Sequence, residues 1–376
     1  MSESPAPTPL LEVRDLAVSF SSGIGPRIQA VDGVSMSIFP GQTLAVVGES
    51  GSGKSVTALA TLRLLAMPPA KIDRGEVLFH REKTAISHAG PERATRAKVR
   101  VERGAPTNLL ALPESQVRQV RGGEIAMIFQ EPMTSLNPVF SVGDQIIEAI
   151  QLHQGSGKLS KQDARAKAID AMTAVGIHEP AKRIDQFPHQ FSGGMRQRIM
   201  IAMALACEPS LLLADEPTTA LDVTVQAQVL DLISQIKQYR HMGVMLITHD
   251  LGIVKQRADV VCVMYAGRVV EYARAKDLFE QPLHPYTRAL LACAPRLGQR
   301  RDRLATVRET VDQSPEFQRS GDQPRPWWLW HDPPPGTATE NPCALLEAKP
   351  GHWIGVWNNL AVTMSSAGVP KIQLTQ

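Results

Sequence analysis

An α/β fold with a mostly parallel sheet is predicted by three observations. Short β-rich apolar runs alternate with helix-like segments from residue 211 to 265. The turn Gly48-Glu-Ser-Gly-Ser-Gly-Lys-Ser55 joins an apolar run to a stretch with few breakers. Between Gln130 and Ser192, apolar residues fall at three- and four-residue spacing, a helical block set among strands.

In chain order, Leu11 to Phe20, Ala30 to Ile38 and Leu44 to Val47 are apolar runs broken by Ser-Ser-Gly, Asp-Gly and Pro-Gly, which predicts strands joined by turns. Val56 to Ala66 predicts a helix that Pro68-Pro69 stops. From Arg81 to Gly104 there are seven Lys or Arg against three Glu and almost no large apolar residues, the composition of a solvated loop insertion. Glu124 to Phe129 predicts a strand ending at Gln130. Val142 to Leu152 and Ser160 to Val175 predict helices of an inserted subdomain, and Met195 to Cys207 a further helix. Leu211 to Ala214, Val244 to Thr248 and Val260 to Tyr265 predict core strands. Val223 to Tyr239 and Leu251 to Arg257 predict the helices between them. Gly155-Ser-Gly-Lys158 lacks a preceding strand and is no second phosphate loop.

With 376 residues, 43% of them apolar, the chain can bury a substantial core, and its net charge of +3 gives no field of the kind that binds nucleic acid. Four scattered cysteines without a C-x-x-C pair predict reduced thiols rather than a disulfide framework or zinc ribbon. The N-terminal residues have no apolar signal core, and no apolar run reaches membrane-spanning length. All five tryptophans lie at Trp327 or later, beside Pro333-Pro-Pro335, in sequence without periodicity. That composition predicts either a separate small module or a poorly ordered tail.

Four motifs carry the chemistry. In Gly48, Glu49, Ser50, Gly51, Ser52, Gly53, Lys54 and Ser55 the glycines let backbone N–H groups turn onto phosphate oxygens. Lys54 is placed to neutralise β- and γ-phosphates, and the Ser55 hydroxyl to ligate Mg²⁺. The loop alone predicts ATP or GTP binding. Asp215 and Glu216 close an apolar strand at the end where open α/β sheets bind ligands, Asp215 as a Mg²⁺ partner and Glu216 to orient or deprotonate an attacking water. His249 and Gln130 end two other strands, His249 near the γ-phosphate and Gln130 in reach of Mg²⁺ and the water. Ser192-Gly193-Gly194-Met195 opens a helix, a second anion site that one nucleotide in one copy does not need. It points to a head-to-tail dimer with nucleotide between the copies.

With these motifs in this order, the chain resembles the ABC transporter ATPase family over roughly residues 10 to 317. GESGSGKS is similar to the Walker A motif, Gln130 to the Q-loop, FSGGMRQR to the signature, LLLADE to Walker B, Thr219-Ala-Leu-Asp222 to the D-loop and His249 to the switch histidine. Phe20 stands where the family keeps an aromatic that stacks on adenine. Gln130-Glu-Pro-Met-Thr-Ser-Leu-Asn-Pro138 and His284-Pro-Tyr-Thr-Arg-Ala-Leu-Leu291 resemble the importer subfamily for dipeptides, oligopeptides and nickel, most of all the N-terminal half of glutathione-importer ATP-binding subunits. The departures are Phe191 and Met195 in the signature and the lack of a C-terminal cysteine cluster.

The resemblance implies a P-loop NTPase core of ABC ATPase type, with an antiparallel β subdomain and an inserted α-helical subdomain at about 131–192. The ATPase domain is then residues 1–317, and 318–376 is a Trp- and Pro-rich tail of unassigned structure, disordered or aberrant. ATP and Mg²⁺ are the implied ligands. The implied activity is ATP hydrolysis coupled to uptake of a peptide-like solute. The implied partners are a second ATPase subunit or a second copy, two integral-membrane permeases and, indirectly, an extracytoplasmic solute-binding protein. Nucleic acid is not among them. The implied location is peripheral, on the cytoplasmic face of the plasma (inner) membrane. The alternatives are a remnant that binds ATP without assembling a transporter, and a soluble ABC ATPase without a transport role.

Overall fold

A computed structural model describes residues 8–23, 25–84, 101–130, 136–154, 159–219, 221–293, 306–312, 314–315, 325–329, 333, 337, 342–358 and 370–372. Most of the basic run, 85–100, lies outside the described residues, as do Gly155 to Lys158, Glu131 to Ser135 and Ala220.

The described strands are β1 (Leu11–Phe20), β2 (Ile28–Ile38), β3 (Thr43–Val47), β4 (Ala70–Phe79), β5 (Glu82–Thr84), β6 (Val101–Arg103), β7 (Thr107–Asn108), β8 (Ile125–Ile128), β9 (Leu211–Asp215), β10 (Gly243–Ile247), β11 (Val260–Tyr265), β12 (Arg268–Arg274), β13 (Cys343–Lys349) and β14 (His352–Trp357). The described helices are α1 (Lys54–Thr61), α2 (Glu114–Val120), α3 (Val142–Gln154), α4 (Lys161–Ala174), α5 (Pro180–Arg183), α6 (Gly193–Leu205), α7 (Val223–Arg240), α8 (Leu251–Arg257), α9 (Ala275–Glu280), α10 (Pro285–Cys293) and α11 (Val307–Asp312).

The main sheet runs β13-β14-β12-β11-β3-β10-β9-β8, with β11, β3, β10, β9 and β8 parallel. A second, antiparallel sheet runs β2-β1-β4-β7. The predicted α/β core with an antiparallel subdomain is therefore the observed one. Strand alternation explains why both faces of the main sheet are covered. Along β10, Met245 and Ile247 join the cluster formed with β1, β2, β4 and α1, while Val244 and Leu246 join the one formed with α3, α4, α6 and α7. The helical block packs through Ile146, Ile150, Ala164, Ala168 and Met172, all 0% exposed, and Val175 at 1%, which is the three- and four-residue spacing made physical.

Some elements depart from expectation. The helix after the phosphate loop ends at Thr61 rather than Ala66, and Arg63 stands at φ 53°. The ends of the basic insertion pair with each other as the antiparallel ribbon β5–β6. The described part of the tail is neither a separate unit nor structureless. β14 pairs antiparallel with β12 and β13 with β14, so the hairpin extends the main sheet. Trp327, Trp328 and Trp357 sink into the cluster that contains Tyr286 and Val263, and Trp353 into the cluster that contains Tyr272. Farther on, Ile372 is buried, its carbonyl accepts from Gln42 Nε2 at 2.9 Å, and the Pro370 carbonyl accepts from Ser37 Oγ at 2.6 Å. Trp328 is 1% exposed. Trp328→Ala is expected to cost about 3–5 kcal/mol by the cavity it leaves, read from urea unfolding of the full chain. A change below about 0.5 kcal/mol would mean that the tail does not belong to this core.

None of the four cysteines forms a disulfide. No helix among the described residues is long and apolar enough to cross a membrane.

Candidate functional site

The phosphate loop spans the gap between the carboxyl end of β3 and the start of α1. Its shape requires glycine at two positions. Gly48 sits at φ 150°, where a Cβ would lie 2.1 Å from the Met264 carbonyl oxygen. Gly53, the residue before α1, sits at φ 97°, where a Cβ would lie 2.5 Å from the Ala30 carbonyl oxygen. Both contacts are with backbone, so neither can be relieved by a rotamer change.

Lys54 is buried, and its ammonium folds over the loop. It donates to the carbonyls of Gly48 (2.9 Å) and Glu49 (2.8 Å) and to Ser52 Oγ (3.3 Å). Burial lowers its affinity for the proton, with the carboxylates Glu216, Asp215 and Glu49 opposing. Ser55 Oγ donates to Asp215 Oδ1 at 3.0 Å, which ties the loop to the end of β9. Asp215 is buried, and that burial raises its carboxyl above the ordinary value, the Ser55 hydrogen bond opposing.

Glu216 does not continue β9. At φ 45° it leaves the strand, with its N–H donating to the Ile247 carbonyl at 3.0 Å. This left-handed conformation costs about 1–3 kcal/mol for a non-glycine residue and turns the carboxylate away from Asp215's buried position. Glu216 Oε2 accepts from Gln130 Nε2 (3.1 Å) and from Thr219 Oγ1 (2.9 Å), and Oε1 lies 3.2 Å from His249 Nδ1. Burial alone would raise the Glu216 carboxyl, but the hydrogen bonds from His249, Thr219 and Gln130 outweigh it and hold the group below its usual range. Gln130, Glu216 and His249, each following a different strand, thus meet at one carboxylate.

Of the remaining predicted residues, Phe20, Asp222 and Ser192 to Met195 lie outside the loop. Ser192 is the N-cap of α6, its Oγ accepting from Met195 N–H at 3.4 Å. Ser192 and Gly193 are exposed, and a Cβ on Gly193 would meet nothing within 4 Å. Gly194 packs on Val225, where a Cβ would come within 2.7 Å of Cγ1. The hydrogen bonds described for Ser192 to Met195 do not reach residues 48–55 within the chain. Asp222 caps α7 by accepting from Val225 N–H at 3.0 Å. Phe20 ends β1, half-buried against the core. Glu49 and Ser50 are exposed, as is Gly51 at φ 79°.

Sequence reasoning missed three contacts at this site. Thr219 holds Glu216, as given above. Gln197, buried in α6, donates to the Pro217 carbonyl and so links the signature helix to the turn after Glu216. Tyr286 Oη accepts from Glu49 N–H at 3.0 Å across a separation of 237 residues. The first could have been read from spacing, since Thr219 lies three residues from Glu216. The other two depend on tertiary packing.

Among the described residues no cluster of three or more His, Cys, Asp and Glu could cage a metal ion. The Ser55 hydroxyl, the Gln130 amide and the Asp215 carboxylate are instead a sparse set of hard oxygen donors. Such a set suits Mg²⁺, which takes few protein ligands and completes its shell with phosphate and water.

Comparison with known proteins gives two matches to family models. Residues 31–219 match the model described as ABC transporter, and residues 270–321 the one described as oligopeptide/dipeptide transporter, C-terminal region. The chain is 49% identical over 290 residues to the oligopeptide transport ATP-binding protein of Bacillus subtilis, covering 77% of this chain and 73% of that protein. It is 44% identical over 362 residues to a probable peptide ABC transporter ATP-binding protein of Sinorhizobium fredii, covering 96% of this chain and 98% of that one. It is also 48% identical over 289 residues to the glutathione import ATP-binding protein of Salmonella typhimurium, of which it covers 42%. Among solved structures, the ATP-binding cassette MJ0796, dimeric and bound to ADP and Pi, superposes with a TM-score of 0.56 over 70% of this chain and 98% of that one, at 22% identity. That likeness speaks to the fold alone.

Proposed function

The chain belongs to the ABC transporter ATP-binding family and is an ATPase; from that premise we propose that it powers import of a peptide-like solute as the peripheral, cytoplasmic-face subunit of a membrane transporter. The observation that carries the catalytic part is the meeting of Gln130, Glu216 and His249 beside the loop that holds Lys54 and Ser55. The substrate class follows from relatives named for oligopeptide, dipeptide and glutathione transport.

In this reading residues 48–55 grip the triphosphate. Lys54 leaves the Gly48 and Glu49 carbonyls for the β- and γ-phosphates, a charge-assisted exchange that favours the bound state. Phe20 stacks on adenine. Ser55, Gln130 and Asp215 would hold Mg²⁺, which neutralises phosphate charge when bound. Glu216, ionised well below neutral pH, orients the attacking water and accepts its proton as the new bond forms. His249 and Gln130 keep that carboxylate in place, Gln130 within reach of Mg²⁺ and the water and His249 on the γ-phosphate side. The exposed start of α6, Ser192 to Met195, seals the nucleotide of a second ATPase subunit or second copy, and Asp222 lies at that junction. The helical subdomain, about 131–192, faces two permeases served by an extracytoplasmic solute-binding protein.

Gly193→Asp tests the sealing role without touching the loop. The site is open, and an acidic residue suits a helix N-terminus, so the melting temperature of the variant should stay near that of the parent. Its added charge should repel γ-phosphate and abolish ATP-driven doubling of mass in light scattering. Undiminished dimerisation would remove the head-to-tail reading, and failure of the parent to co-purify with two permease subunits would remove the transporter reading.

A further inference from the structure

We propose that Tyr286 is a positioning residue for the phosphate loop, its phenolic oxygen fixing the peptide between Gly48 and Glu49 while the segment around Trp327 and Trp328 fixes Tyr286. The inference rests on the reading that residues 48–55 grip the triphosphate.

The peptide in question is held from two sides. Its N–H, on Glu49, donates to Tyr286 Oη at 3.0 Å, and its carbonyl, on Gly48, accepts from Lys54 Nζ at 2.9 Å. In a trans peptide these groups point in opposite directions, so the two bonds together set the tilt of the plane. Once Lys54 turns to phosphate, the carbonyl loses its donor and the tyrosine oxygen remains as the restraint. A loop that kept its tilt would meet the nucleotide already shaped, whereas one that lost it would first have to be reordered.

Tyr286 can hold because it cannot move. It is fully buried near the start of α10, and its hydroxyl also lies 3.5 Å from Glu49 Oε2, to which it can donate. Burial drives the phenol above its ordinary value, so the proton stays on. Its own N–H donates to His284 Nδ1 at 3.1 Å, and His284 Nε2 donates to the Trp327 carbonyl at 3.0 Å. Those two bonds require the neutral imidazole with its proton on Nε2. The ring lies 4.8 Å from that of Tyr265 and 5.8 Å from that of Trp328, and Trp328 stacks on Tyr265 at 4.3 Å. The tail is thereby coupled to the first residues of the loop through one side chain.

The test compares Tyr286→Phe, Tyr272→Phe and Lys54→Ala in the full chain assembled with its permeases, with ATP titrated against phosphate release and a fluorescent ATP analogue read at equilibrium. Tyr286→Phe should raise KM and Kd for ATP about threefold to tenfold, the worth of one neutral hydrogen bond, with kcat changed less than about twofold. Tyr272 Oη donates to the Ser37 carbonyl at 2.9 Å in a different part of the core, so Tyr272→Phe should lower the melting temperature and leave KM alone. If Tyr286→Phe does not fold, Trp328→Phe takes its place, with a raised KM at constant kcat expected. Unchanged affinity in the variant that folds, or an equal rise in KM in Tyr272→Phe, overturns the positioning role while loss of binding in Lys54→Ala leaves the loop reading intact. Full nucleotide binding by Lys54→Ala would overturn that reading, and this inference with it.

Discussion

Glu216→Gln is expected to lower kcat for ATP hydrolysis in the assembled transporter by about 10²- to 10⁴-fold, the range for removing a positioned acid/base group. Glutamine preserves the size of the side chain, and its amide oxygen can still accept from Thr219 and Gln130, which now hold Oε2 at 2.9 and 3.1 Å. What disappears is the charge and the ability to take a proton from water. Nucleotide binding does not depend on either, so ATP should remain in the closed dimer and co-elute with the assembled transporter. Because the carboxyl is held below its usual range, it is fully ionised throughout the neutral region. Protonation of Glu216 should therefore cost the parent enzyme activity only as the pH falls through that lowered value, and activity should be flat in this respect from pH 6 to 8. Phosphate release unchanged by the substitution would show that the water is activated elsewhere.

Lys54→Ala acts earlier, on binding. A charge-assisted contact to phosphate is worth about 1.5–3 kcal/mol, so the dissociation constant for ATP should rise about 10- to 150-fold, measured by titration of a fluorescent analogue. Stability should move much less. The ammonium is buried at a cost that its three neutral acceptors offset only in part, and removing it also removes that cost. A near-UV spectrum like that of the parent, together with lost binding, separates this outcome from unfolding. Binding within a factor of about two of the parent would mean that the loop does not grip phosphate through this residue.

The parts of the site that sequence made readable are those governed by local rules. A glycine turn after an apolar strand, carboxylates at a strand end and a serine ahead of a helix are each short-range patterns, and Gly48, Asp215 and Ser192 occupy the positions those patterns imply. The core strands were legible because a buried parallel sheet needs unbroken apolar runs, as in Leu211 to Ala214 and Val244 to Ile247. The edges were not. β12 and β14 pair with Glu271 opposite Ile354, Tyr272 opposite Trp353 and Ala273 opposite His352, and such main-chain pairing leaves little trace in side-chain type. The buried Glu271 accepts from the N–H groups of Leu283 and His284 and from His352 Nε2. That arrangement makes sense of an acidic residue inside the protein, but only after partners far apart in the chain are brought together. Tyr286 escaped for the same reason: its motif was visible as a subfamily mark, while its hydrogen bond to Glu49 exists only in three dimensions.

The anchoring of residues 370–372 against β2 and the turn that follows it bears on how the polypeptide is made. Lys371 reaches Glu12 at 3.4 Å, and Ile372 fills the same apolar cluster as Leu10 and Ile38. During synthesis β1 and β2 leave the ribosome with that seat empty. They wait, with that apolar surface uncovered, until Ile372 follows 330 residues after Gln42.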